Sequence, residues 1–235
     1  MKHNPRFIYP KSIRSLINNE RHYDIESNKL PSVTTILSAT LPSGKKEKLQ
    51  EWKDRVGNEE ADRIKNEAAN RGTFMHSYIE GYLSGQRHLD LTDLGQQATK
   101  MGEVIVERGL KNQLTELYGS EATLYYPDLY AGATDIVGLY NGKETIIDLK
   151  QSNKTKREEW IRDYYLQLSA YILAHNYVHQ SNIEQGVILM CTPNLEFQKF
   201  VIEGEALKRY TYEWLTRVGL YYKNKKSEVL TKAIK

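Results

Sequence analysis

Between residues 121 and 150 apolar and polar positions alternate with a period of two, whereas on both sides they recur every three to five residues. The stretches Glu121 to Tyr126, Gly132 to Tyr140 and Lys143 to Lys150 are short and rich in β-branched and aromatic residues. They are bounded by Pro127, by Asn141-Gly142 and by a basic cluster, which predicts three strands. Upstream, residues 1–30 are polar and show no period, which predicts an irregular segment. Pro31-Ser32 followed by Val33, Ile36 and Leu37 predicts a short capped helix that ends at Pro42-Ser43-Gly44. Leu49, Trp52, Val56, Ala61, Ile64 and Ala68 then recur within dense mixed charge, which predicts one or two amphipathic helices broken near Gly57-Asn58. Arg71-Gly72 predicts a further interruption, with Thr73 capping a helix to about Leu83 whose apolar contacts are Met75, Ile79, Tyr82 and Leu83. Another helix is expected over roughly residues 92 to 117. Downstream the pattern predicts a helix from about Glu158 to Val178, a strand pair at Gly186 to Thr192 and Phe197 to Ile202, and a final helix from near Glu205.

This order predicts an α/β fold, a mixed central β-sheet of about five strands flanked by helices, with an N-terminal helical addition. Residues 31–118 form the helical region and 119–235 the α/β core, the two packing as one structural domain. With 40% hydrophobic and 27% charged residues the composition is that of an ordinary globular chain, and no apolar run is long enough to span a membrane. The single cysteine, Cys191, excludes an internal disulfide and any multi-cysteine zinc or iron–sulfur site. The first thirty residues carry Glu20, Asp24 and Glu26 among their basic residues and have no continuous apolar core, so no secretory signal is read there, and the acids disfavour a transit peptide to the mitochondrial matrix. The expected setting is the cytoplasm, or a host's cytoplasm for a phage-encoded chain. Two basic clusters stand out, Lys150, Lys154, Lys156 and Arg157, and the run from Leu207 to Lys235 with eight Lys or Arg against two Glu. Either a solvated surface or contact with phosphates accounts for them.

Chemistry enters at Asp135 and Asp148, the two carboxylates in the apolar strands on either side of Asn141-Gly142. Asn-Gly is the residue pair of a type I′ hairpin turn, because both central residues need positive φ. With a two-residue loop Tyr140 pairs with Lys143, and counting along the ladder sets Asp135 opposite Asp148 on one side of the sheet. Lys150 projects from that side too. Both faces of this hairpin are apolar, so water access is poor and like charges repel. Two converging carboxylates suit a hard divalent cation such as Mg²⁺ or Mn²⁺. On this reading alone, a surface acid pair or a register slipped by one residue remains open. His76 and Glu80 share a helical face at i, i+4 spacing and could join a metal site, although His76 alone reads equally as a helix histidine satisfied by a neighbour. Gln167 and Tyr171 have the same spacing, with Trp160 and Tyr164 nearby, and read in isolation as core positions.

Taken in order, Arg71-Gly72-Thr73 with His76, then Glu121, then Gly132 with Asp135, then Asp148-Leu149-Lys150, then Gln167 with Tyr171, the set resembles the RecB-like branch of the PD-(D/E)XK nuclease superfamily. Pro31-Ser32-Val33-Thr34 and Leu49 with Trp52 extend the resemblance to the family of the mitochondrial genome maintenance exonuclease and its phage-encoded relatives, over about residues 31 to 175. The resemblance implies a restriction-endonuclease-like core and a metal site made by His76, Asp135, Asp148 and the backbone carbonyl of Leu149. It implies catalytic roles for Lys150, Asp148, Asp135 and Glu121, and substrate contacts by Gln167 and Tyr171. Arg71 and Lys154 are assigned to substrate binding as well. The implied activity is a Mg²⁺- or Mn²⁺-dependent deoxyribonuclease, an exonuclease acting on DNA that is single-stranded or has free ends, in replication, recombination or genome degradation, alongside the proteins of those processes. Two alternatives are a structure-specific endonuclease of the same fold and a catalytically inactive nucleic-acid-binding module.

Overall fold

The computed structural model describes residues 1–25, 27–86 and 90–233, the last six of them by backbone alone. In chain order the strands are β1 (Lys2–His3), β2 (Ile13–Ile17), β3 (Glu20–Ile25), β4 (Asn28–Pro31), β5 (Leu114–Tyr126), β6 (Tyr130–Tyr140), β7 (Lys143–Gln151), β8 (Gln185–Cys191) and β9 (Phe197–Glu203). The helices are α1 (Val33–Ala39), α2 (Ser43–Val56), α3 (Asn58–Ser84), α4 (Asp93–Ile105), α5 (Arg162–His179) and α6 (Gly204–Ala233). Six strands form one mixed sheet in the order β1-β5-β6-β7-β8-β9. The helix α5 is the crossover that joins the parallel neighbours β7 and β8. The predicted α/β class with helices on both faces is the observed one.

The central strands are apolar on both faces because both are covered. On one face Met75 and Ile79 of α3 and Met101 and Ile105 of α4 pack against Ile136, Ile147, Leu149 and Leu189. On the other, Leu166 and Ala170 of α5 and Trp214 of α6 pack against Val137, Ile146, Ile188 and Met190. No helix among the described residues is long and apolar enough to cross a membrane.

Several local expectations are corrected. The first thirty residues are not irregular. β1 pairs parallel to β5, and β2, β3 and β4 form a separate antiparallel sheet whose buried Tyr23, Ile25 and Leu30 rest on Ala131. Ser32 caps α1 as expected, its Oγ accepting from the Thr35 amide at 3.0 Å, but Ser43 and Gly44 open α2. The break at Gly57 is real, with φ of 85°. No break occurs at Arg71-Gly72. The helix α3 runs through, Thr73 donates its hydroxyl to the Ala69 carbonyl, and Gly72 passes the Gln151 side chain at a point where a Cβ would lie 3.4 Å from it. Tyr82 is half exposed rather than packed. The helix expected to 117 stops at Ile105, continues as a π-turn over Val106–Leu110 and gives way to β5 at Leu114. Of the basic C-terminal run, Lys232 and Lys235 lie outside the residues whose side chains are described.

Phe7 and Tyr9 anchor the N-terminal segment against His175 and His179 of α5. His175 is fully buried, bonded to the Tyr9 hydroxyl at 3.1 Å and to Ser181 at 2.7 Å, and burial pushes its pKa down from 6.5 to about 3. Between those values the unfolded chain binds a proton here and the folded chain does not, so stability falls as pH falls through that window, by at most about 1.4 kcal/mol per pH unit. In His175→Gln that share of the slope disappears, as urea denaturation of both chains from pH 7 to pH 5 will measure.

Candidate active site

The β6–β7 hairpin turns through Asn141 and Gly142, with φ of 48° and 79°. Its ladder runs from Tyr140↔Lys143 to Ile136↔Ile147, the register that the turn dictates. The next opposed positions are Asp135 and Asp148, and there the backbone pairing stops. In its place the Asp135 carboxylate accepts the Leu149 amide at 2.5 Å. The side chain stands in for a strand, and the opening it creates is the floor of a cleft of about 560 Å³.

His76 reaches this floor from α3, its Nδ1 3.1 Å from Asp135 Oδ1. Glu121 arrives from β5, between the pairs Ser120↔Ile136 and Ala122↔Thr134 and hence opposite Asp135. Its φ of 47° is left-handed, a conformation that costs a non-glycine residue about 1–2 kcal/mol. One ligand atom each from His76, Glu121 and Asp135 lies within 4.8 Å of the others. Asp148, 3% exposed, forms an ion pair with Lys150 through its Oδ2. Lys150 in turn lies 5.2 Å from the centre of the Tyr164 ring. The amide of Leu149 faces the site; the residue is otherwise buried in the sheet.

Burial and charge act against each other throughout this floor. Burial would raise the Asp135 pKa, but the charge and hydrogen bond of His76, with Lys150 and the Leu149 amide, hold it below the ordinary carboxylate value. Asp148 is pushed up by burial, which Lys150 only partly offsets. Burial would lower the Lys150 ammonium, yet Asp148 and Asp135 hold it above the usual lysine value. His76 is raised as well, since Asp135 outweighs the burial that disfavours its charge. Glu121 is raised by burial and by the neighbouring Asp135. The Lys150 ammonium, and His76 in its protonated form, thus place positive charge beside these carboxylates. The group of nitrogen and oxygen donors from His76, Glu121 and Asp135 fits a hard divalent cation.

Gln167 and Tyr171 line the same cleft, joined by a bond of 3.0 Å from Gln167 Nε2 to the Tyr171 hydroxyl. Gly132 makes room for them, because a Cβ there would lie 2.6 Å from the Tyr171 ring. Two predicted residues are not in the cleft. Arg71 is 4% exposed and bonded to Glu67, Gln97, Gln151 and Asn153, a strut between α3 and the segment after β7. Lys154 is exposed on that segment, its carbonyl accepting from the Ser152 hydroxyl. The reading of the sequence missed Arg14, Arg21 and Tyr23, which line the cleft from the small sheet.

Among curated proteins, mitochondrial genome maintenance exonuclease 1 of Mus musculus is 27% identical over an alignment of 247 positions, covering 95% of this chain and 72% of its own length. The chain is similar to that exonuclease along nearly its whole length. The Homo sapiens counterpart is 27% identical over 221 positions, with 88% of this chain covered but 62% of its own, so the present chain spans a little under two thirds of it. No family model matches the sequence. Among solved structures, a candidate exonuclease from Eubacterium rectale overlays with a TM-score of 0.48 at 17% identity, covering 66% of this chain and 64% of its own.

The fit of Gly132 to Tyr171 is testable. Gly132→Ala should cost roughly 1–3 kcal/mol of stability by forcing the ring aside. The same substitution in a Tyr171→Ala background should cost much less, so a double-mutant cycle in urea will show a large coupling. Additive effects would mean that the ring is not what Gly132 accommodates.

Proposed function

We propose that the chain is a divalent-metal-dependent DNA exonuclease that hydrolyses phosphodiester bonds from free ends of single-stranded DNA, with Mg²⁺ or Mn²⁺ as its metal. The observation that carries this reading is the convergence of His76, Glu121 and Asp135 beside the Asp148–Lys150 pair on the floor of one cleft. Similarity to exonucleases over most of the chain supports it. His76, Glu121 and Asp135 would hold the ion, with Asp148 on the flank of the site. When bound, such an ion polarises a phosphate oxygen and lowers the pKa of a coordinated water.

The chain's own residues account for the rest of the chemistry. Asp135 keeps one carboxylate oxygen on the Leu149 amide and presents the other towards His76, so its orientation is set before any ligand arrives. Lys150, kept charged by two carboxylates, is placed to orient the attacking water and to donate to phosphate oxygens as negative charge develops on them. Tyr164 packs against that ammonium and limits its motion. Gln167 and Tyr171 form a paired polar wall for the substrate beside the floor. Arg71 acts as a strut rather than as the substrate contact expected of it, since its guanidinium is consumed by four side-chain partners.

On end-labelled single-stranded DNA with Mg²⁺ or Mn²⁺, Lys150→Ala should lower the rate roughly 10²–10³-fold. Asp148→Asn should lower it at least as far, and chelation should abolish cleavage. Equal product from wild type and both variants would remove this site from the reaction. An exonuclease spares closed circular single-stranded DNA; if circles were cut as fast as linear strands, the endonuclease reading of the same fold would replace this one. Metal binding has an independent readout. Mn²⁺ at 100 times its Kd should stabilise the wild-type chain by about 2.7 kcal/mol, an increment that thermal melting should find lost in Asp135→Asn.

A further inference from the structure

The small N-terminal sheet has one face with two characters. Strand partners in an antiparallel pair project to the same side, and Arg14↔Tyr23 and Leu16↔Arg21 are partners, so Arg14, Arg21 and Tyr23 share a face. Where that face rests on the main sheet it is apolar, with Tyr23, Ile25 and Leu30 buried against Ala131. Where it overhangs the cleft it is basic, and Arg14 and Arg21 line the cavity whose floor holds Asp135, Asp148 and Lys150. The Arg21 backbone is fixed, its carbonyl accepting from the Ser32 amide at 2.9 Å and the Thr35 hydroxyl at 2.9 Å. Its guanidinium has no carboxylate partner among the described residues. Arg14 is tied loosely, 3.6 Å from Glu121 and 5.9 Å from the centre of the Tyr23 ring, with its side chain 56% exposed.

An acidic floor under a basic roof is the electrostatic profile of a slot for an anion that also binds a cation. A phosphodiester strand fits it. A phosphate held over the floor needs the floor's charge offset, and the strand's neighbouring phosphates need positive groups that are not consumed by carboxylates. Guanidinium groups match phosphate with paired donors. We propose that Arg14 and Arg21 form a guanidinium roof that binds the backbone phosphates adjoining the one placed over the carboxylate floor, making the N-terminal sheet part of the strand-binding channel. This inference rests on the exonuclease reading for its ligand, a single-stranded nucleic acid, but its test does not depend on cleavage.

The experiment measures binding of a fluorescein-labelled single-stranded oligonucleotide by anisotropy, across a series of salt concentrations. It uses the full chain silenced by Asp148→Asn, alone and combined with Arg14→Gln, Arg21→Gln or Lys111→Gln. Lys111 is an exposed lysine paired with Glu107, away from the cleft. Each phosphate contact contributes about 0.7 to the slope of log K against log salt for single strands. Each arginine substitution should therefore flatten the slope by about that amount, Lys111→Gln should leave it unchanged, and Arg14→Lys should restore most of what Arg14→Gln removes. Slopes equal to the parent's in both arginine variants would overturn the roof, as would an equal flattening in Lys111→Gln, which would mark a general charge effect. A wild-type chain that binds the oligonucleotide with the predicted slope but never cleaves it would refute the exonuclease reading and leave the roof standing.

Discussion

Everything in this molecule is arranged around one electrostatic burden, two carboxylates placed inside a sheet that is covered on both faces. A buried charge left unpaired is worth several kcal/mol of destabilisation, and the structure meets that cost with specific groups. Asp135 takes the Leu149 amide, which ends the ladder one position early, and pairs with His76. Asp148 takes Lys150, two residues along the same strand and on the same side. Glu121 is brought to the group at the expense of a left-handed backbone. The left-handed backbone at Glu121 is locally unfavourable, whereas the hydrogen bond and the ion pairs offset the burial of the charges. The opening of the ladder that results is also what gives the cleft its floor.

The hairpin was legible because its chemistry is local. Asn141-Gly142 fixes a turn, the turn fixes a register, and the register sets Asp135 against Asp148 without knowledge of the rest of the fold. The same logic was available at Asn18-Asn19, which turn β2 into β3 with φ of 51° and 62°, but the flanking strands carry Arg14, Ser15, Arg21 and His22 and read as loop. The burial of Tyr23, Ile25 and Leu30 comes from the large sheet, which a local pattern does not contain. Gly72 misled in the opposite direction, since α3 runs straight through it and a Cβ there would meet Gln151 at ordinary contact distance. Position 121 was found from its order among the other acids; its strained backbone has no signature in composition or period. Arg71, beside a motif, looked like a substrate contact until its four partners were seen.

The site is also divided among distant parts of the chain. The floor belongs to β5, β6 and β7, the imidazole to α3, the wall of Gln167 and Tyr171 to α5, and the roof to the small sheet. What holds the parts in register is ordinary packing, Ile79 and Met75 on Ile136 and Ile147 on one face, and Tyr23 with Ile25 on Ala131 at the edge. Substitutions in those contacts therefore act on the site without touching it.

The position of His76 has a mechanical consequence. It is the only member of the imidazole and carboxylate group carried by a helix; Glu121 and Asp135 are carried by the sheet. An ion shared among the three is a cross-link between layers, and releasing α3 from the sheet then means releasing the ion. With the proposed ion bound, the local opening of that helix, and hence the exchange of its amide hydrogens with solvent, would become a function of free cation concentration. On the proposed reading, the ligand set that would serve chemistry would also make the rigidity of the helical layer depend on the ionic composition of the surroundings.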